Sequence, residues 1–156
     1  MNKNLKQLQR GVSLLEILIV LVVMVALLLV TIPALYRLLQ SYRVQTTASV
    51  ISTNLRFARS AALKQKIIYR LTFRDSSEVN PNSYVVEYAP FGTFQTFNNI
   101  DTKIPDRVNI DPTSLDVVSF DSRGAASTSG FVLLTGNDGT TYKITVSTTG
   151  AVNIIK

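Results

Sequence analysis

A chain of 156 residues, 46% of them hydrophobic and with a formal charge of +6, has room for a short leader, a membrane segment and one modest folded domain. It contains neither cysteine nor histidine. That excludes a disulfide framework and removes the usual zinc-ligand and Cys–His or Ser–His constellations. A Ser–Lys or paired-carboxylate enzyme is left open by composition, but no motif or spacing points to one.

The chain begins with a basic leader (Lys3, Lys6, Arg10) that runs into Gly11-Val12-Ser13-Leu14-Leu15-Glu16 and then an apolar run from Ile17 to Val30. From Val12 to Leu35 only Ser13, Glu16, Thr31 and Pro33 interrupt the apolar character. At about 1.5 Å per residue this segment spans a hydrocarbon core of ~30 Å. A secretory signal would be shorter and would end at a small-residue cleavage site, so the segment is expected to stay in the mature protein. A carboxylate at the centre of such a helix costs on the order of 3 kcal/mol. Glu16 therefore calls for a partner or a function, and we read it as a recognition device.

The next segment reads as an amphipathic stem. Val44, Ala48, Ile51, Leu55, Ala58 and Ala62 fall on one helical stripe, so one helix is expected from about Ser13 to Lys64. Pro33 inside it removes a backbone hydrogen bond and permits a kink. Residues 37 to 74 hold eight basic side chains and no acid, whereas residues 75 to 156 hold nine acids against five bases. Two readings follow. The stem arginines pair with acids of the chain's own head, or Arg56, Arg59, Lys64 and Lys66 meet an anionic partner such as lipid headgroups, nucleic acid or an acidic subunit.

Beyond the stem the period changes to two. Six strands are expected, at 67–73, 84–89, 117–120, 131–135, 142–147 and 152–155, each bounded by turn-forming residues. Gly136-Asn137-Asp138-Gly139 and Thr148-Thr149-Gly150 predict hairpin turns. The stretch from Pro90 to Pro112 is the least regular and is a candidate partner surface, although its Phe91, Phe94 and Phe97 are expected beneath a loop. Asp101, Asp106, Asp111, Asp116 and Asp121 recur every five residues, which fits no EF-hand loop; they read as turn formers, and neither metal nor cofactor is expected.

Arg10-Gly11, a small hydroxyl residue, two leucines, Glu16 and a long apolar helix resemble the processing signal of type IV prepilins and of type II secretion pseudopilins. The resemblance implies that a prepilin peptidase cuts between Gly11 and Val12 and methylates the new amino terminus, with Glu16 then meeting the amino terminus of a neighbouring subunit during assembly. Val12 departs from the more usual phenylalanine at that place. Later blocks, Leu55 to Ala62, Val118 to Gly124 and Ile144 to Gly150, are similar to the GspH/FimT group of minor pilins and pseudopilins.

That group implies an α+β fold, a long amino-terminal helix packed on antiparallel sheets. The expected division is a cleaved leader (1–11), a transmembrane and assembly helix (12–35) and a periplasmic or extracellular head (36–156). The implied role is a structural minor subunit of a type IV pilus or type II secretion pseudopilus, in the complex that starts the filament. Its implied partners are the peptidase, other major and minor pilins or pseudopilins, and inner-membrane lipid. The alternative is a FimT-like DNA-binding subunit. Some FimT-like proteins carry arginines after the terminal glycine, but here Gly150 is followed by Ala151, Val152 and Asn153, so DNA is disfavoured as a partner.

Overall fold

The computed structural model describes residues 13–75, 77 and 81–156. One helix, α1 (Leu14–Gln65), precedes eight strands: β1 (Ile68–Arg74), β2 (Ser83–Ala89), β3 (Gln95–Lys103), β4 (Val108–Ile110), β5 (Val117–Phe120), β6 (Gly130–Gly136), β7 (Thr141–Val146) and β8 (Val152–Ile155). The chain divides into two compact units between Arg37 and Leu38.

The first unit carries the apolar part of α1. An 18-residue window there has a mean hydropathy of 3.2, and none of it is buried, so by length and composition this helix can cross a membrane. Ser13 stands at the N-cap position and its carbonyl accepts the Ile17 N–H at 3.2 Å. Pro33 lies inside the helix, which continues on both sides of it. Just before it, Thr31 turns its hydroxyl back onto the Leu27 carbonyl at 2.9 Å, a local satisfaction typical of polar residues in helices.

The second unit is built on the stem. All six residues of its apolar stripe, Val44, Ala48, Ile51, Leu55, Ala58 and Ala62, are fully buried. They join one core with Tyr69, Leu71 and Phe73 of β1, Val118 and Phe120 of β5, Val132 and Leu134 of β6, and Ile144 and Val146 of β7. The strands form two four-stranded sheets, in the orders β3-β2-β1-β5 and β4-β6-β7-β8, with every pairing antiparallel. β4 and β5 exchange places: each joins the sheet that its nearer sequence neighbours do not predict. The Ser52 hydroxyl is buried without a hydrogen-bond partner among the described residues.

Two strands, β3 and β4, occupy the stretch expected to be an irregular loop, so the head has eight strands rather than six. β3 is rich in Asn, Asp and Gln, which are poor strand formers, and β4 has only three residues. Tertiary pairing overrides both signals: β3 lies against β2 with a register shift between Val85 and Glu87, and β4 pairs with β6. Asn82, in a left-handed conformation with φ 53°, ties these pieces together. Its carbonyl accepts the Ile104 N–H at 2.8 Å, its Oδ1 accepts the Ile110 N–H at 3.0 Å, and its Nδ2 donates to Asn109 Oδ1 at 2.9 Å.

Candidate assembly and partner-contact site

Gly11 and Val12, the expected cleavage point, lie outside the described residues. Glu16 is exposed in the first turn of α1, where the positive end of the helix dipole favours a carboxylate. Around it Leu14, Leu15, Ile17, Leu18 and Ile19 are all more than half exposed. A charge set in an apolar surface of this kind is suited to meeting an opposite charge when that surface becomes covered.

The four basic candidates divide. Arg56 Nη2 donates to the Val152 carbonyl at 3.1 Å. Arg59 donates through Nε to the Gly124 carbonyl at 3.1 Å and through Nη2 to the Thr149 carbonyl at 2.9 Å. The expectation that stem arginines pair with head acids is therefore corrected for these two: their partners are backbone carbonyls in turns and at a strand start, because turns leave such oxygens unpaired. Arg59 fastens the stem to the turn after β5 and the turn before β8 at once. Lys64 and Lys66 are exposed and have no ion pair among the described residues. Lys66 has a conformational task as well: at φ 59° its N–H bonds the Ala62 carbonyl at 2.9 Å and closes the helix.

The expected pairing with a head acid holds further on, at Arg70. Its guanidinium contacts Glu87 at 2.7 and 3.2 Å, and Thr72 donates to the same carboxylate at 2.8 Å. The Arg70 hydrogen bonds, opposed by partial burial and aided by Thr72, hold the Glu87 carboxyl below the usual carboxylate range. A lowered carboxylate stabilises the fold fully above its unfolded value of about 4.3, and that contribution is lost as pH falls through the lower folded value. We expect Glu87→Gln to flatten the acid limb of stability below about pH 4.5, read by chemical denaturation at stepped pH. An unchanged limb would assign it wholly to other carboxylates.

Asp111, Asp121 and Asp138 cap turns, whereas Asp101, expected as a turn former, lies within β3 opposite Val85, where pairing with β2 overrides its turn preference. Asp111 accepts the Thr113 hydroxyl at 2.6 Å and its N–H at 2.9 Å, and Asp138 does the same for Thr140 at 2.8 and 3.1 Å. Those bonds, led by the threonine hydroxyl, lower both carboxyls. Asp121 accepts the N–H groups of Arg123 and Ala125, both at 2.9 Å. Among the described residues no cluster of three or more acids is placed to hold a metal ion.

The family model for the type II transport protein GspH matches residues 47–150. The chain belongs to the GspH family of minor pilins and pseudopilins. Solved structures share the fold. The type IV minor pilin FimU of Pseudomonas aeruginosa aligns with a TM-score of 0.58 and 15% identity, over 72% of this chain and 88% of its own. The minor pseudopilin EpsH from the type 2 secretion system of Vibrio cholerae gives 0.59 and 10%, over 72% and 96%. The solution structure of E. coli GspH gives 0.56 and 14%, over 74% and 89%. No curated protein sequence matches. As a GspH-family subunit the chain is a structural minor component of a type IV pilus or type II secretion pseudopilus, and it assembles with other pilins or pseudopilins.

Proposed function

We propose that the chain is a prepilin, cut between Gly11 and Val12 and methylated by the prepilin peptidase, then held in the inner membrane by residues 12–35 with its head outside the cytoplasm. It acts in the complex that initiates the filament, as a scaffold without catalytic activity. The observation that carries this reading is Glu16, standing alone in an exposed apolar helix five residues after Gly11. Cleavage creates an ammonium at Val12, and the Glu16 carboxylate of one subunit neutralises that of its neighbour as both leave water. DNA capture ranks second, since Arg56 and Arg59 already serve carbonyls of the head and only Lys64 and Lys66 of the four present unengaged charge.

Full-length wild-type and Glu16→Ala chains, expressed with the peptidase and partner pilins, test this. Breaking a buried pair by removing one partner costs about 3 to 5 kcal/mol, so recovery of Glu16→Ala in crosslinked complexes falls on the order of 100-fold. Both chains begin at methylated Val12 by mass spectrometry. Equal recovery of the two would remove charge pairing, and an intact Met1 leader would remove the prepilin reading.

A further inference from the structure

The first turn of the stem is built around one buried amide. Gln40, 8% exposed, donates through Nε2 to the Arg107 carbonyl at 2.6 Å, and the Asn137 N–H donates to the same oxygen at 3.2 Å. These bonds hold Arg107 in a left-handed conformation, φ 73°, which a non-glycine residue keeps only where its surroundings enforce it. The result is an exposed arginine anchored by its backbone beside the stem. Arg43, on the next turn after Gln40, is exposed as well. Ile104 and Pro105 line a groove with Thr46 and Thr47, so the loop that carries Arg107 runs along this part of the stem.

Neither Arg43 nor Arg107 has a side-chain hydrogen bond or ion pair among the described residues. The nearby acids are engaged: Asp106 faces Lys103 at 4.0 Å, and Asp138 accepts the hydroxyl and N–H of Thr140. Beside the arginines the helix exposes Leu38, Leu39 and Tyr42, the last at 64%. Arginine, tyrosine and leucine so combined suit a bilayer interface, where arginine meets lipid phosphate and tyrosine lies at headgroup level. Chain length places them there. From Leu35, where the apolar segment ends, to Gln40 the chain advances about 7.5 Å as helix and no more than about 17 Å extended. A headgroup layer is about 5 to 7 Å deep. Cleavage after Gly11 also removes Lys3, Lys6 and Arg10, so the first cationic side chains of the mature chain are Arg37 and Arg43.

We propose that Arg43 and Arg107 bind the phosphates of anionic phospholipids in the leaflet on the head's side, with Tyr42, Leu38 and Leu39 entering the headgroup layer, so that the head stands on the bilayer until assembly lifts it away. This deepens the membrane-anchored reading and rests on it for a spanning segment and a head outside the cytoplasm. Each basic side chain near an anionic surface strengthens binding about fivefold, and salt weakens the attraction by screening it.

The β2–β3 hairpin tip provides a remote control position. The expectation that its three phenylalanines lie beneath a loop is corrected there: Phe97 packs against Phe57, Tyr69 and Tyr88, Phe94 stacks on the Arg70 guanidinium at 3.6 Å, and Phe91 is 94% exposed. Phe57 stands about 25 Å further along the stem than Gln40.

The chain lacks cysteine, so a single introduced thiol carries a fluorophore without background. Full-length chains bearing Asn137→Cys beside Arg107, or Thr93→Cys at the hairpin tip, are placed in nanodiscs that hold a headgroup-attached quencher, with and without phosphatidylglycerol in a phosphatidylcholine bilayer. Quenching at 137 is expected to exceed that at 93 and to rise with phosphatidylglycerol. Arg43→Gln and Arg107→Gln each lower the docked-to-free ratio about fivefold and together about 25-fold, Arg43→Lys with Arg107→Lys retains it, and added salt lowers it. Equal quenching with and without phosphatidylglycerol, indifference to the double glutamine variant, or stronger quenching at 93 would each overturn the contact. So would a double glutamine variant that loses crosslinking to partner pilins with lipid quenching unchanged, which assigns the arginines to a neighbouring subunit. Should docking fail while Glu16→Ala loses recruitment, the lipid contact falls and the pilin reading stands; should docking hold while Glu16→Ala is recruited normally, the reverse follows.

Discussion

Gly150→Ala unfolds the head at a temperature lower by roughly 15 °C, a loss of about 4 kcal/mol. Gly150 has φ 77°, and a Cβ added there meets the Gly124 carbonyl oxygen and comes within 2.8 Å of Arg59 Nε. Backbone strain at a left-handed non-glycine residue contributes about 1 to 3 kcal/mol. The overlap with Gly124 also dislodges the carbonyl that Arg59 binds, and a hydrogen bond to a charged group contributes about 1.5 to 3 kcal/mol. Gly139 provides the control. It has φ 82° with no heavy atom within 4 Å of its added Cβ, so Gly139→Ala carries strain alone and loses about 1 kcal/mol. Thermal unfolding of the full chain followed by tyrosine fluorescence compares the two, and equal losses would show that the Gly124–Arg59–Gly150 junction is not tightly packed.

Leu55→Ala costs about 3 kcal/mol, within the range for removing a fully buried leucine. Leu55 is 0% exposed and belongs to the core shared by both sheets, so the cavity it leaves has strands on either side that cannot both collapse inward. Val50→Ala, on the same helix but 46% exposed, should lose less than about 1 kcal/mol. Leu18→Ala, in the apolar part of α1, should leave head unfolding unchanged. Denaturant titration measures all three. A loss at Leu55→Ala no larger than at Val50→Ala would remove the stem from the core of the head.

The stem was legible because its stripe is enforced by burial: six apolar residues at spacings of three and four have one physical solution, and all six are buried. The two hairpin turns were legible for the same local reason, since Gly139 and Gly150 sit in left-handed conformations that their turns require. β3 and β4 were not, because their pairing comes from neighbours distant in sequence rather than from their own residues. Nor could sequence tell what Arg56, Arg59 and Lys66 do. A basic side chain on a helix reads as a charge, whereas the fold spends two of these on carbonyl oxygens of a turn and a strand start, 65 and more residues away. Asn82 gave a signal in hindsight: an asparagine between turn residues just before a strand is a common left-handed position.

The exchange of β4 and β5 has a kinetic consequence. Hairpins β1–β2 and β6–β7–β8 can form locally within microseconds, but β1–β5 and β4–β6 must close much longer loops, and each closure belongs to a different sheet. Because the chain between Lys103 and Gly130 changes sheet three times, at β3–β4, β4–β5 and β5–β6, neither sheet can be completed or peeled away while the other stays intact. The head should therefore lack a half-folded state: amide hydrogens of Leu71 in one sheet and Ile144 in the other should exchange with the same free energy of opening, that of global unfolding.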